Sequence, residues 1–219
     1  MLFRSGFIYF NTINVGSTDC FAFQDQVSGT QLTTTQVFRD PSAWYHFVVV
    51  LDTSQATASN RAKIYVNGSQ ITAFSTATYP AQNATGNINS NVIQNIGRRP
   101  ATGTEYFDGY LAEMYMITGQ ALTPSSFGTT DPVTGVWAPA KYTGTYGTNG
   151  FYLPFQTYST IGGQFSSYYG NFNSTGSLST STYLRINDNA VFNSGSSDFC
   201  WEVFFYADSN GGTLFGKGG

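Results

Sequence analysis

Charged side chains are scarce in this 219-residue chain: Asp, Glu, Lys and Arg together make up 10% of it, against about 25% in an average globular domain. Long surface helices normally carry Glu, Lys and Arg on their outer faces, so this shortage argues against a helical protein. Nine basic residues against 12 acidic ones give a net charge of −3, and no basic run occurs. We therefore expect no nucleic-acid partner.

Long apolar runs and cysteines are also scarce. No stretch approaches the length of a membrane-spanning helix, so we expect no membrane partner. The first residues lack the long apolar core of a signal peptide. The two cysteines, Cys20 and Cys200, are too few for a disulfide scaffold. We expect them to be small buried residues in strands, with a disulfide between them as the alternative.

Aromatic residues, in contrast, are abundant, with 19 Phe and 15 Tyr. They occur in short apolar runs separated by Gly, Asn, Ser and Thr, a texture typical of a β-sandwich. Residues 44–51 predict a strand buried on both faces, and Asn67-Gly68 after Ala62–Val66 predicts a two-residue hairpin. Helix is limited to one turn over residues 123–127. Further strands are predicted at 7–10, 20–23, 69–71, 92–96, 109–117, 150–155 and 199–206. The predicted core residues are Trp44, Phe47, Val49, Tyr65, Leu111, Met114 and Trp201.

Two segments carry a resemblance to a known family. Residues 40–72 resemble the centre of laminin-G-like, concanavalin-A-like jelly rolls, in which a Trp-x-His strand leads to an Ile-Tyr-Val-Asn-Gly hairpin. Residues 96–122 are similar to the closing strand of that family. The matching positions are Trp44, His46, Tyr65, Val66, Asn67, Gly68, Phe107, Gly109, Leu111, Glu113 and Leu122. The resemblance covers roughly residues 1–155 and implies an all-β fold, a two-sheet antiparallel jelly-roll sandwich.

A third segment suggests the kind of particle to which the protein belongs. Residues 134–155 are similar to a tail carried by laminin-G-like modules in structural proteins of tailed bacteriophages. This resemblance implies a virion location, in a phage tail or on the particle surface, with an extracellular location as the alternative. The partners that it implies are a glycan or cell-surface receptor, together with other virion proteins or tandem repeats.

The ends of the chain depart from the family pattern. The family's first strand is missing before Leu2-Phe3, whereas residues 197–204 look like that strand. Leu2, Phe3 and Gly6 recur at a constant offset of 212 as Leu214, Phe215 and Gly218.

This arrangement predicts a body at 1–160, a linker at 161–181 and, at 182–219, the first strands of a following repeat. We expect the last segment to complete the body's sandwich as a circular permutation, with strand 199–206 against 109–117 or 2–10. Leu214-Phe215 would then compete with Leu2-Phe3 for one position.

Catalytic signals are weak. The single histidine, His46, lies inside an apolar run, so we expect it to be buried and far from any pair of carboxylates. A glycosidase needs two carboxylates facing one sugar bond. Asp108 and Glu113 are five positions apart and therefore lie on opposite faces of a regular strand. We expect no enzyme activity and no catalytic residues.

A metal-binding site and a sugar-binding site are the remaining kinds of functional site to consider. No Cys/His spacing suggests zinc, and we assign no metal ligands, although Asp19, Asp25 and Asp108 leave calcium open as a cofactor. Glu113 is expected to make a structural hydrogen bond to a neighbouring strand. Tyrosines in polar loops could stack against a sugar ring, and the candidates are Tyr79, Tyr106, Tyr142, Tyr146 and Tyr168.

These features together predict a non-enzymatic module that binds a glycan or a cell surface, in a phage tail fibre or another virion structural protein. The first alternative is a secreted concanavalin-A-like glycoside hydrolase. The second is a structural spacer without a ligand.

Overall fold

The computed structural model describes residues 6–11, 19–40, 42–90, 94–97, 107, 109–155, 170–172, 184–186, 199–207 and 212–217. The strands are β1 Gly6–Asn11, β2 Cys20–Asp25, β3 Thr30–Val37, β4 Tyr45–Leu51, β5 Ala62–Val66, β6 Ser69–Ile71, β7 Phe74–Thr78, β8 Gln94–Ile96, β9 Gly109–Thr118, β10 Gly128–Thr130, β11 Trp137–Pro139, β12 Phe151–Leu153, β13 Gly170–Phe172, β14 Leu184–Ile186, β15 Phe199–Ala207 and β16 Gly212–Lys217.

Two seven-stranded antiparallel sheets contain most of these strands. The first sheet has the order β14-β8-β16-β1-β2-β3-β7. The second sheet has the order β12-β9-β15-β4-β5-β6, with β13 also paired to β9. A separate ribbon pairs β10 with β11. The predicted all-β sandwich is therefore confirmed.

Helix is almost absent from the described residues. One helical turn, α1, spans Ala58–Arg61, and a 3₁₀ turn spans Pro124–Ser126. The predicted turn near residue 124 is confirmed, although the Thr123 side chain does not cap it. No helix in the part of the chain that the structure describes is long and apolar enough to cross a membrane.

The space between the two sheets holds the main core. Phe21 and Phe23 project from β2 and meet residues such as Phe47 and Phe199 from the second sheet. The Phe21 and Phe47 rings stack with centroids 4.0 Å apart. Four predicted core residues lie in this cluster: Phe47, Val49, Leu111 and Met114.

Two predicted core residues are placed differently. Tyr65 is half-buried on the opposite face of the second sheet, and Trp44 is half-buried just before β4 begins. The side chain of Trp201 lies outside what the structure describes.

The second sheet is buried on its other face as well. Val48, Val50, Tyr115 and Ile117 alternate with the inter-sheet residues, so they point away from the main core. Residues 119–149, which we call the covering segment, pack Leu122, Phe127, Tyr142 and Tyr146 onto them. This explains why β4 is buried on both faces, as its apolar run predicts.

The predicted hairpin at Asn67-Gly68 is confirmed. Both residues have positive φ, 46° and 80°, and Val66 pairs with Ser69 across the turn. Positive φ at both central positions is the geometry that favours Asn-Gly. The turn is also tied to β4, because Asn67 accepts a hydrogen bond from the His46 amide through Oδ1 at 2.9 Å.

The cysteines lie in strands of different sheets. Cys20 in β2 and Cys200 in β15 are both buried thiols without a disulfide. Their prediction as small buried strand residues is confirmed, and the disulfide alternative is wrong.

The C-terminal strands lie in the middle of both sheets. β15 pairs with β4 on one side and with β9 on the other. β16 pairs with β1 and β8. The expectation that strand 199–206 lies against 109–117 is confirmed by this register.

The proposed division at residues 160 and 181 stays a prediction. Gly170–Phe172, inside the expected linker, forms a short strand paired to β9. Leu2-Phe3 lies outside the described residues, so its competition with Leu214-Phe215 also stays a prediction.

Candidate functional site

The outer face of the second sheet carries a cluster of five aromatic rings around β9. Tyr115 is its centre: Tyr152 stacks on it with centroids 4.4 Å apart and planes at 13°. Tyr142 meets it edge-on at 6.2 Å, and Tyr146 and Phe127 contact it at tilted angles. We call these five residues the aromatic face. It joins β9, β12 and the covering segment.

Burial divides the aromatic face into a support and a surface. Tyr115, Phe127 and Tyr142 are buried, whereas Tyr146 and Tyr152 are half-exposed. The Tyr142 hydroxyl donates to the Thr145 carbonyl at 3.2 Å, which holds the loop that carries Tyr146. Two partly open rings therefore rest on three rings that packing keeps in place.

Polar groups border the two half-exposed rings. The Tyr152 hydroxyl donates to Glu113 Oε2 at 2.5 Å. Lys141 places its ammonium 6.0 Å from the centroid of the Tyr152 ring, within the usual range of a cation–π contact. Burial, and then the hydrogen bond to Glu113, raise the pKa of Tyr152, so its hydroxyl remains a donor at neutral pH.

A β-bulge positions Glu113. Glu202 of β15 pairs with Tyr115 and Phe204 pairs with Ala112, so Glu113 and Met114 together lie opposite a single residue of β15. Glu113 has a φ of 50°. Bulges redirect side chains in this way, and here the carboxylate reaches the neighbouring strand β12. The expected structural hydrogen bond of Glu113 is confirmed.

The structure brings two of the predicted sugar-binding tyrosines together. Tyr142 and Tyr146 have ring centroids 5.9 Å apart. Tyr79 lies elsewhere, half-buried against the core between the sheets. Tyr106 and Tyr168 lie outside the described residues.

Sequence reasoning missed Tyr152, because it was placed in a predicted strand rather than in a polar loop. Its neighbours Phe151 and Leu153 pack against the inter-sheet core, so Tyr152 points to the other face. That alternation was the signal that could have found it.

The carboxylates considered for calcium have other partners. Asp19 makes an ion pair with Arg39, with Oδ2 to Nε at 2.6 Å. Asp25 is fully buried and accepts backbone N–H groups from Val27, Ser28 and Asn87 at 3.0, 3.3 and 2.7 Å. Asp108 lies outside the described residues. Among the residues that are described, no group of three or more His, Cys, Asp or Glu side chains could hold a metal ion.

His46 is fully buried beneath the covering segment. The indole of Trp137 in β11 stacks against it and donates to Nδ1 at 2.9 Å. Burial lowers the pKa of His46 to about 4, so the imidazole is neutral at neutral pH. The expected burial of His46 is confirmed.

Comparison with protein families identifies the fold. The family model of the concanavalin A-like lectin/glucanases superfamily, in its laminin-G type, matches residues 3–126, more than half of the chain. The chain belongs to this superfamily. Comparison with curated proteins and with solved structures gave no match.

The superfamily match contains β1–β9 but ends before three residues of the aromatic face. Tyr142, Tyr146 and Tyr152 all come after residue 126. Both half-exposed rings of the aromatic face, Tyr146 and Tyr152, therefore come from a segment outside the matched region. The superfamily fold is compatible with carbohydrate binding.

Proposed function

We propose that this lectin-like domain is a non-enzymatic carbohydrate-binding module, and that its site is the aromatic face around Tyr146 and Tyr152. The observation that carries the proposal is the pair of half-exposed tyrosines supported by buried rings. Ligand sites typically combine apolar or aromatic surface with a few fixed polar groups. Glu113, Lys141 and Gln120 supply such groups beside the rings.

The polar groups have geometry suited to a sugar. A pyranose ring has an apolar face that can lie on an aromatic ring and hydroxyls on its edge. Glu113 is already held by the Tyr152 hydroxyl, and the Gln120 amide donates to the Thr145 carbonyl at 2.9 Å. These groups are therefore oriented before a ligand arrives, which lowers the entropic cost of binding.

Binding without hydrolysis is supported by the environment of the acidic side chains. Six acidic side chains are described, and each accepts a hydrogen bond from its own surroundings: Asp19, Asp25, Asp40, Asp52, Glu113 and Asp131. A retaining or inverting glycosidase needs two carboxylates that face one glycosidic bond. Because the superfamily also includes glucanases, hydrolysis is the alternative that an experiment must address.

The viral context is the second part of the proposal. Residues 134–155, which resemble a tail found in phage structural proteins, supply Trp137, Tyr142, Tyr146 and Tyr152. The segment that suggests a virion thus also supplies three of the five rings of the aromatic face, including both half-exposed ones. We propose that the module lies on a virion, in a tail fibre or a related structural protein, and binds a host glycan or cell-surface receptor there.

A glycan array with the purified full chain tests the binding proposal, with calcium and with a chelator in parallel. We expect a set of neutral or acidic glycans to bind with a Kd in the millimolar to micromolar range, on the order of −4 to −8 kcal/mol. The calcium arm decides whether calcium takes part. Absence of binding to every glycan in both arms would favour the spacer.

Variants then locate the site. Tyr146→Ala should weaken binding about tenfold or more, since it removes one of the two half-exposed rings on which a sugar would lie. Tyr79→Ala serves as the matched control, because Tyr79 is also half-buried but lies against the inter-sheet core. A loss only in Tyr79→Ala would move the site to that loop.

Two further measurements address the alternatives. Incubation of the chain with each bound glycan, followed by mass spectrometry of the sugar, should show no cleavage. Immunogold labelling of virions from a phage that encodes the chain should mark the tail or the surface. Labelling of secreted host material alone would contradict the viral location.

A further inference from the structure

The C-terminal strands form one unit that completes both sheets. β15 and β16 are separated by only four residues, yet β15 belongs to the second sheet and β16 to the first. We call residues 199–217 the closing arch. Without it, the first sheet separates into β14-β8 and β1-β2-β3-β7, and the second into β12-β9 and β4-β5-β6.

The place that β15 fills is a deep groove between β4 and β9. Seven residues of β15 pair with β4 and eight pair with β9. Phe199 and Val203 are buried in the inter-sheet core. Cys200 is buried on the outer face of the second sheet, among the residues that the covering segment packs onto, and we call these residues the outer cluster. A groove with two unpaired strand edges and apolar walls on both faces strongly favours the pairing of an additional strand.

The connection to the closing arch is long. Residues 154–198 separate the end of β12 from the start of β15, a stretch of 45 residues. Two strands of three residues, β13 and β14, are the pairings described within it. Because β13 is paired to β9 and β14 to β8, the 12 residues between Ile186 and Phe199 set the reach of the closing arch. Twelve residues span at most roughly 40 Å, enough to reach the groove of an adjoining molecule.

From these observations we propose that the groove between β4 and β9 also accepts the closing arch of a second copy of this chain. Copies would then associate by exchanging residues 199–217, either reciprocally in a dimer or head-to-tail in an open series. The contacts in the exchanged form are the same as in the single chain. Only the connectivity differs, so no new interface has to form.

Concentration decides which form is populated. Because β15 is covalently tethered to the body that contains its own groove, its effective concentration there is on the order of millimolar. Separate molecules at micromolar concentration should therefore close on themselves. Copies refolded together at high concentration, or held side by side, should exchange.

Cross-linking in register distinguishes exchange from ordinary association. Cys200 pairs with Val50, and both belong to the outer cluster. Directly opposite residues in antiparallel strands have Cα atoms about 4.5–5.5 Å apart, within the range of a disulfide. One full-length chain carries Val50→Cys with Cys200→Ala, and the other retains Cys200. Both carry Cys20→Ala.

The two chains are unfolded, mixed, refolded and oxidised, and the products are separated on a non-reducing gel. We expect a disulfide-linked heterodimer whose yield rises about tenfold for a tenfold rise in protein concentration in the dilute range. The matched control replaces Val50→Cys by Val48→Cys, which lies on the same face but pairs with Glu202. It should give no heterodimer.

A single chain with Val50→Cys and native Cys200 reports whether the groove still forms. Its intramolecular disulfide should appear at low concentration. If that disulfide forms but the mixed chains give no heterodimer at any concentration, the proposal is wrong. If Val48→Cys cross-links as well as Val50→Cys, the association does not use this register, and the proposal is also wrong.

Discussion

The indole Nε1–H of Trp137 donates a hydrogen bond to Nδ1 of His46 at 2.9 Å, across 91 positions of the chain. The two rings lie nearly parallel, with centroids 5.7 Å apart and planes at 22°. Because Nδ1 accepts this bond, the proton of the neutral imidazole is on Nε2. The contact fastens the covering segment to β4, and it depends on an imidazole that stays neutral.

Stability should therefore decrease when the solution is acidified. Burial lowers the pKa of His46 from 6.5 to about 4. Between these values the unfolded chain binds a proton that the folded chain does not, so the free energy of unfolding falls as pH falls from 6.5 towards 4. The full difference corresponds to about 3 kcal/mol.

Urea unfolding at neutral pH and near pH 4 measures this effect. His46→Gln retains a polar side chain but does not titrate. The decrease in its free energy of unfolding on acidification therefore comes from the carboxylates. The wild-type chain should lose about 3 kcal/mol more than His46→Gln. Equal losses in the two proteins would show that His46 is not the titrating group.

Gly68 should tolerate a side chain poorly, because the Trp137 ring lies against it. A Cβ added at Gly68 would overlap the indole, and the residue has a φ of +80°. Gly135 has a φ of +70° with nothing within 4 Å of an added Cβ. Gly135→Ala should therefore cost about 1 kcal/mol for backbone strain alone.

Gly68→Ala should cost about 3 kcal/mol, since the indole must also move. Thermal or urea unfolding of the two variants separates the contact from the backbone effect. Similar losses in both would mean that the Trp137 contact contributes little.

The strands with strong apolar runs, and β6 directly after its Asn-Gly turn, could be predicted from the sequence, whereas strands with neither signal could not. β4 and β15 are examples of the first kind. β3, with the sequence TQLTTTQV, and β7, with FSTAT, were missed. Thr30, Thr33 and Thr34 of β3 are nevertheless buried, because the neighbouring strands and the opposite sheet cover them. That burial depends on tertiary structure and leaves little local signal.

Tyr65 lies on the outer face of the second sheet and not in the predicted inter-sheet core, and this difference has a related cause. Alternation shows which residues share a face, but it does not show which face meets the other sheet. In the second sheet both faces are buried, one by the first sheet and one by the covering segment. Apolar residues therefore occupy both sets of positions in β4 and β9, and composition cannot separate them. The same long-range packing brings Trp137 to His46 and builds the aromatic face.

Asp25 should be important for the stability of two loops. Its Oδ1 accepts the amides of Val27 and Ser28, and its Oδ2 accepts those of Asn87 and Ile88. Asp25→Asn replaces one accepting oxygen by an NH₂ group that faces N–H donors. We expect a loss of about 3 kcal/mol, because hydrogen bonds to a buried charged acceptor are strong.

Asp40→Asn is the control for this substitution. Asp40 also accepts a backbone amide, that of Ser42, but it is exposed to water. It should change stability little, because water can replace the lost interaction. Comparable losses in Asp25→Asn and Asp40→Asn, measured by urea unfolding, would argue against the structural role of Asp25.

The bond between Tyr152 and Glu113 should contribute to the stability of the aromatic face. Tyr152→Phe keeps the ring on Tyr115 and removes the hydroxyl, and Glu113→Gln removes the charge with little change of shape. A double-mutant cycle of unfolding free energies should give a coupling of about 1 kcal/mol, the lower part of the range for charged hydrogen bonds, because both side chains are half-exposed. A coupling near zero would mean that the bulge at Glu113 holds β12 through the backbone alone.

The stacked ring of Tyr152 should contribute more to glycan binding than its hydroxyl. Since Tyr152→Phe retains the ring on Tyr115, its glycan affinity should fall less than that of Tyr152→Ala when both are measured by the same titration. Equal affinity losses in the two variants would assign the binding contribution to the hydroxyl instead of the ring.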